Sequence, residues 1–293
     1  MNIRIATRSS PLAQWQATEV ARLLTSAHPG LQVDLVLVQT EMDRNLAVPI
    51  DQFGGKGAFC KAIQREVLEG RAEIAVHSAK DLESLTPPGL RLAAFPERGD
   101  VRDCLVGATP ATLVAGSVVA TGSGRRWALL NDLRSGLIRR ELRGNIARRL
   151  SYLDRSNDPV DAIVVAAAAL QRLGIEPEVV HFFDPETFVP QVGQGAMAIE
   201  ARIDDTITNE LLEFIDHGPT RVAVTAEREF LQELGADCNT PAGAYAIVDA
   251  DAKILIRGVL HDGNRMARCE VVDTAHSEPG RLLARRLLAQ KGD

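Results

Sequence analysis

The segment Ala75-Val76-His77-Ser78-Ala79-Lys80-Asp81 runs an apolar strand into a cluster of polar side chains. In open α/β sheets, ligands bind in the space beyond the carboxyl ends of the strands. Asp81 is the candidate catalytic carboxylate of this cluster. A lone histidine such as His77 is more often structural, and Lys80-Asp81 taken by itself reads as a surface pair of little energetic value.

A second set of candidates is cationic. Between Ala120 and Arg155 lie nine arginines (125, 126, 134, 139, 140, 143, 148, 149, 155), no lysine and three acids (Asp132, Glu141, Asp154), a local charge of +6. The whole chain carries -6, which leaves -12 for the remainder. A guanidinium fork matches a carboxylate or phosphate with two parallel hydrogen bonds, so an all-arginine surface suits planar anions. Arg125-Arg126 at a helix start, Leu142-Arg143-Gly144-Asn145 at a strand-to-helix turn and Arg148-Arg149 one turn later outline a polyanion site. Arg134, Arg139, Arg140 and Arg155 are expected on solvated faces. Stacking aromatics are scarce, with Trp127 and Tyr152 alone in the stretch, and a net negative chain argues against nucleic acid.

Two further motifs invite chemistry. Gly54-Gly55-Lys56-Gly57 lacks the spacing of a phosphate loop and is expected to form a mobile flap. Cys238, in Gly235-Ala236-Asp237-Cys238-Asn239-Thr240-Pro241, reads on composition as an inert thiol, because neighbouring Asp237 disfavours the thiolate. The four cysteines (60, 104, 238, 269) contain no C-x-x-C pair, so neither a zinc site nor a disulfide framework is expected.

Elements that could position these residues alternate along the chain. Strands are expected at Asn2 to Ala6, Gln32 to Gln39 and Ala72 to His77, with helices at Pro11 to Thr25 and Ala58 to Gly70. A second series follows, with strands at Ser117 to Thr121, Leu137 to Leu142 and Asp161 to Ala166, and helices at Arg125 to Leu130 and Asn145 to Ser151. Such alternation predicts mainly parallel sheets covered on both faces. Ile5-Ala6-Thr7-Arg8-Ser9 and Val119-Ala120-Thr121-Gly122-Ser123 echo one another, each ahead of a helix whose unpaired N–H groups offer an anion seat. Ser10 before Pro11 also fits a plain helix cap.

Breaker-rich stretches at Phe95 to Val101 and Val189 to Gly195 suggest two crossings between lobes. After about Pro219 a helix, strands at Ala244 to Val248 and Lys253 to Leu260, an Asp262-Gly263 turn, a third strand and a helix from Pro279 predict a small α+β domain. The expected divisions are 1–97 with 195–217, 98–194, and 218–293. The fold class expected is α/β, with two periplasmic-binding-protein-like lobes and a small C-terminal domain carrying an antiparallel three-stranded sheet. With 45% hydrophobic and 25% charged residues, 293 residues supply ordinary cores, and no apolar run reaches the ~20 residues of a membrane helix. Met1 leads almost directly into Ile3-Arg4-Ile5-Ala6, without the regions of a signal peptide, so a cytoplasmic location is expected.

Taken together the chain resembles the porphobilinogen deaminase (hydroxymethylbilane synthase) family over nearly its whole length. The strings that carry the resemblance are Arg4-Ile5-Ala6-Thr7-Arg8, Ser10-Pro11-Leu12-Ala13, Gly54-Gly55-Lys56-Gly57, Val76-His77-Ser78 with Lys80-Asp81, Arg125-Arg126, Leu142-Arg143-Gly144-Asn145, Arg172-Leu173-Gly174, Val192-Gly193-Gln194-Gly195-Ala196 with Ile199-Glu200, and Cys238. It implies a transferase that joins four porphobilinogen molecules head to tail, releasing ammonia at each step, and frees 1-hydroxymethylbilane with water. It also implies a dipyrromethane cofactor, built from substrate and tethered by a thioether to Cys238. On the matching positions Asp81 would be the catalytic carboxylate; Lys80, Asp81, Ser123, Arg125, Arg126 and Arg149 would hold the cofactor; Arg8, Ser10, Arg143, Arg149, Arg172 and Gln194 would receive the incoming pyrrole. The reaction would take place in an arginine-lined cleft between the lobes of a monomer, with no metal, nucleic acid or membrane partner.

The chain departs from the family's usual pattern at Gln52, Leu82-Glu83, Gly122, Gly124, Ala169, Asp237, Asn239 and Thr240. The alternative from another class is a non-catalytic two-lobed anion-binding protein of the periplasmic-receptor type, which would need neither Asp81 nor Cys238. A regulator's effector domain is disfavoured, since no helix-turn-helix is evident at either end.

Overall fold

A computed structural model of the chain describes residues 1–38, 57–154, 156–235, 240–263 and 265–290. Cys238, Arg155 and most of the expected glycine-rich flap lie outside the described residues. Two compact units emerge, Met1–Gly99 with Ala196–Val222, and Asp100–Gly195 with Ala223–Asp293.

The first unit is built on strands β1 (Asn2–Arg8), β2 (Gln32–Val38), β3 (Ile74–Ser78), β4 (Leu90–Ala94) and β10 (Met197–Arg202) in the order β2-β1-β3-β10-β4. Helix α1 (Pro11–Ala27) starts where Ser10 caps the backbone N–H of Ala13 and Pro11 presets the first helical φ. Its Ala17, Val20 and Leu24 recur at helical spacing and pack with Ile3, Ile5, Ile74, Val76 and Ile199. Helix α2 (Gly57–Leu68) applies Ile63 and Val67 to Ala6, Ala75 and Leu90. Alternation along the strands thus sends one side-chain set to each helix, and the sheet is buried on both faces.

The second unit repeats the plan with β5 (Asp103–Val106), β6 (Val118–Ala120), β7 (Ile138–Arg140), β8 (Ala162–Ala166) and β9 (Val180–Phe182), ordered β7-β6-β8-β5-β9. Helices α3 (Gly124–Leu133), α4 (Ile146–Leu150) and α5 (Ala167–Arg172) each follow a strand. The expectation of mainly parallel sheets holds for the first three strands of each order. In both sheets the fourth strand runs antiparallel to its neighbours, so each sheet is mixed. β10 and β5 begin just after the chain changes units, which brings them to the sheet from the opposite end.

After α6 (Thr206–Glu213) and α7 (Gly218–Leu234), an antiparallel sheet forms from β11 (Ala242–Val248), β12 (Lys253–His261) and β13 (Met266–Thr274). Helix α8 (Pro279–Ala289) lays Leu283 and Leu287 on it, each worth about 2 kcal/mol of burial. Gly258 makes room for both, because a Cβ there would come within 2.7 Å of Leu283 and 3.0 Å of Leu287. Val259 joins the core of Leu105, Val119, Leu129, Val164 and the stacked Phe183 and Phe188, so the C-terminal sheet shares a core with the arginine-rich lobe.

Candidate functional site

β1 and β3 run parallel with Ala6 opposite Ala75, so Arg8, Ser9 and Ser10 leave the same edge of the sheet as Ser78, Ala79, Lys80 and Asp81. That is the carboxyl edge expected to hold a ligand. Ser78 exchanges hydrogen bonds with buried Gln16 of α1, at 2.9 and 3.2 Å. Residues Ala79–Asp81 form a single 3-10 turn, pinned by Ala79 N–H donating to Ala196 O and by the Cys60 thiol donating to Asp81 O at 3.2 Å. Asp81 is half-buried, and its side chain has no ion-pair or hydrogen-bond partner among the described residues. Beneath the turn, His77 Nε2 lies 3.0 Å from Glu200 Oε2, and Gln64 Nε2 donates to the same carboxylate at 2.9 Å. His77 is therefore the structural histidine of a buried polar cluster, which stiffens the strand that delivers Asp81.

In the second unit the corresponding edge is cationic. Ser123 caps α3 by accepting from Arg126 N–H, which sets Arg125 and Arg126 in the first turn. Asn145 caps α4 in the same way through Arg148 N–H. A serine hydroxyl that accepts a backbone N–H still has its own proton to donate, so capping leaves Ser10 and Ser123 able to bind a carboxylate. Arg143 is exposed near Glu141, while Arg149 is half-buried with Nε donating to Gly144 O at 2.8 Å. Arg172, at the end of α5, donates to Gly195 O at 2.6 Å, and burial lowers its pKa from the usual range. The arginines expected on solvated faces are placed so: Arg134 and Arg139 are exposed and Arg140 pairs with Asp158 at the surface.

Asp103 organises this edge, although nothing in the sequence reading singled it out. β5 runs antiparallel to β8 with Asp103 opposite Ala166, which sets its carboxylate at the carboxyl end of the parallel strands. Asp103 is 0% exposed, and Oδ2 accepts from Arg125 Nη2 at 2.8 Å. Oδ1 accepts from Arg126 Nε at 2.8 Å and from Gln194 Nε2 at 2.9 Å. Three further bonds go to backbone carbonyls: Arg125 Nη1 to Val189 O, Arg126 Nη1 to Val164 O, and Gln194 Nε2 to Val101 O. Burial alone would raise the carboxyl pKa, but the two guanidinium charges and the Gln194 amide outweigh it and hold Asp103 at about 2. Nearby Cys104 is pushed up by burial to about 12, which makes it an inert thiol. The signal for Asp103 was slight: a carboxylate opening the apolar run Cys104-Leu105-Val106 just after a breaker-rich crossing.

Arg125 Nε is buried and has no hydrogen-bond partner among the described residues. The same side chain lines a pocket with Ser123, Gln191, Val192, Leu231, Thr240 and Ala242. Thr240 stands two positions along the chain from Cys238. Gly243 is required here, because a Cβ would come within 2.5 Å of Pro190 O and 2.8 Å of Arg125 Cδ. Gly122 is likewise confined, because a Cβ there would come within 2.7 Å of Leu142 O, so this turn has no room for a side chain.

Of the residues expected to act together, Arg8, Ser10, Lys80 and Asp81 share one sheet edge, and Ser123, Arg125, Arg126, Arg143, Arg149, Arg172 and Gln194 belong to the other unit. Residues 3–210 match the family model described as "Porphobilinogen deaminase, dipyromethane cofactor binding domain". Residues 222–289 match "Porphobilinogen deaminase, C-terminal domain". Among solved structures, the chain is similar to the methionine-binding protein MetQ at 13% identity, over 75% of this chain and 92% of that one, with a TM-score of 0.44. The BenM effector-binding domain aligns at 15% identity over 73% and 90% with a TM-score of 0.42. YhfZ from Shigella flexneri aligns at 16% identity over 76% and 88% with a TM-score of 0.39. Likeness at these scores carries no argument for function.

Proposed function

Because the chain belongs to the porphobilinogen deaminase family, we propose that the side chains at its two sheet edges perform that family's chemistry in the roles read from the sequence. The chain is a transferase, a hydroxymethylbilane synthase, that condenses four porphobilinogen molecules head to tail with release of ammonia and yields 1-hydroxymethylbilane for tetrapyrrole biosynthesis. Its cofactor is dipyrromethane. Matches along both segments disfavour the non-catalytic anion-binding alternative.

The observation that carries the residue assignments is the buried, unpartnered Arg125 Nε in a pocket shared with Ser123 and Thr240. A buried donor without an acceptor costs about 1–3 kcal/mol, and a ligand carboxylate removes that cost. A carboxylate-bearing pyrrole pair suits that donor: Ser123 and Arg125 line the pocket, Lys80, Arg126 and Arg149 would join them in holding its carboxylates, Asp81 would accept from its pyrrole N–H groups, and Cys238 would be the thioether tether. When bound, the cofactor supplies the pyrrole carbon to which the growing chain is joined.

Asp81 would act on the incoming substrate. Departure of ammonia from an aminomethylpyrrole leaves a cationic, electron-poor ring, and a fixed carboxylate near the pyrrole N–H stabilises that charge as it develops. Arg8, Ser10, Arg143, Arg149 and Arg172, with Gln194, would receive the substrate's carboxylates. Each added pyrrole brings more of them, which explains a local arginine surplus in an acidic protein.

Residues 218–293 are proposed as the cofactor-attachment domain, beside lobes at 1–97 with 195–217 and at 98–194. No helix among the described residues is long and apolar enough to cross a membrane. A cytoplasmic monomer is the proposed working form, which light scattering of the purified protein would test. For the cofactor tether, intact-protein mass spectrometry is the direct test. The wild type should exceed its sequence mass by one two-pyrrole unit and Cys238→Ser should not; a bare-chain mass for the wild type, with no consumption of porphobilinogen, would remove the assignment.

A further inference from the structure

Two guanidinium groups and one carboxylate meet in a space closed to water: Arg125 is 3% exposed, Arg126 6% and Asp103 0%. A cluster that served stability alone could be replaced by apolar side chains at little cost, because desolvation offsets most of the attraction in a buried ion pair. This one also leaves a buried donor, Arg125 Nε, without a partner among the described residues. That arrangement suits a half-finished anion site better than a finished strut.

Everything around the pair restricts its motion. Asp103 holds Nη2 of Arg125 through one oxygen and Nε of Arg126 through the other. Gln194 fixes the carboxylate in turn, donating to Oδ1 and to Val101 O while its own oxygen accepts from Arg126 Nη2 at 3.4 Å. Gln194 is itself set by Gly193, whose φ of +72° favours glycine and whose N–H donates to Glu227 Oε2 at 2.7 Å. Glu227, fully buried, also accepts from Ala246 N–H at 2.9 Å, tying the network to the C-terminal sheet. The Arg125 stem packs against Gly243 with no room for another carbon.

We propose that Asp103 is the positioning residue of the cofactor site: it aims the Arg125 and Arg126 forks before any ligand arrives and limits their joint charge to +1, so that a single ligand carboxylate completes the cluster. This inference rests on the reading of Arg125 and Arg126 as cofactor-holding residues. Asp103 touches neither substrate nor cofactor in this role. It acts through the arginines, and it remains charged because those arginines keep it so. Without it, two unpaired guanidinium groups would repel one another and leave their productive rotamers.

The test follows cofactor loading. Cofactor-free protein, taken from cells that make no porphobilinogen, is supplied with porphobilinogen and its intact mass is followed in time. Asp103→Asn should load about 10- to 100-fold more slowly than wild type, the cost of misplacing groups that must be pre-oriented. Inorganic phosphate should slow the variant more than the wild type, because freed forks accept oxyanions. Gln194→Leu keeps all three charges and removes the amide that orients the carboxylate; assayed at saturating porphobilinogen, which offsets its proposed contact with substrate, it should show a smaller slowing than Asp103→Asn, with an unchanged circular dichroism spectrum and a smaller fall in melting temperature. Asp103→Asn loading at the wild-type rate, or equal phosphate sensitivity, overturns the proposal. If Asp103→Asn does not fold, wild-type loading by Gln194→Leu overturns it instead. A wild-type chain that stays at its bare mass overturns the cofactor reading as well, whereas a wild type that loads beside equally fast variants overturns the role of Asp103 alone.

Discussion

In the first unit β10 meets β3 with Met197 opposite Ser78, and the sheet edge just beyond holds the half-buried carboxylate of Asp81. In the second unit β5 meets β8 with Asp103 opposite Ala166, and the carboxylate there is fully buried beneath two arginines. The strand orders correspond position for position. What differs is the company each acid keeps. Asp103 is neutralised inside the protein, while Asp81 has no cationic partner among the described residues, as the role proposed for it requires. Residue type and strand position do not tell these two acids apart; burial and neighbours do.

Substitutions at the two edges should have different consequences. Arg126→Met strips Asp103 of one of its two charges, and removing one partner of a buried pair costs about 3–5 kcal/mol. The expected result is a large fall in denaturation midpoint; a midpoint within error of wild type would mean the cluster does not hold the second edge together. Asp81→Ala should act on the other axis: kcat falls about 10²- to 10³-fold, the scale of losing one group that meets transition-state charge. Its stability should stay near wild type and its mass should still show the cofactor. Equal thermal losses in the two variants would erase the distinction drawn between the edges.

Acid should separate the two carboxylates next. The folded pKa of Asp103, at about 2, lies below the 3.8 of an ordinary aspartate. A depressed carboxyl contributes stability that is complete above the unfolded pKa and is lost as pH falls through the folded one. The shift amounts to about 2 kcal/mol, lost between about pH 5 and about pH 2. Wild-type denaturation midpoints should decline across that window, and Asp103→Asn, lacking the proton-linked part, should start lower and decline less. A parallel decline in both proteins would show that other acids dominate the acid transition. The smallest effect is expected at Arg143, exposed and 3.6 Å from Glu141. Arg143→Ala should change stability by less than about 0.5 kcal/mol while raising KM for porphobilinogen more than it lowers kcat.

Local rules made much of this protein readable. Ser10 before Pro11, Ser123 before Arg125-Arg126 and Asn145 before Arg148 announce helix starts, because a cap joins residues three apart. The Asp262-Gly263 turn was legible for the same reason, with Gly263 at φ +106°. The short strands β4, β5, β9 and β10 were not read, since their few residues do not alternate in burial and their membership is settled by partners far away in sequence. Direction was equally hidden: β5 and β10 are antiparallel because of where the chain re-enters each sheet, and no single strand encodes that.

Legible in the residues themselves were the capped helices and longer strands, the concentration of arginine in one stretch and, through the motifs, the family. These depend on residue identity and short spacing. Three-dimensional packing alone brings Asp103 to arginines 22 and 23 residues away, returns Gln194 from 91 residues away to steady the same carboxylate, and leaves one buried N–H of Arg125 unsatisfied. Pairing across such distances follows from packing, because a charge tolerates burial only where the fold brings it partners.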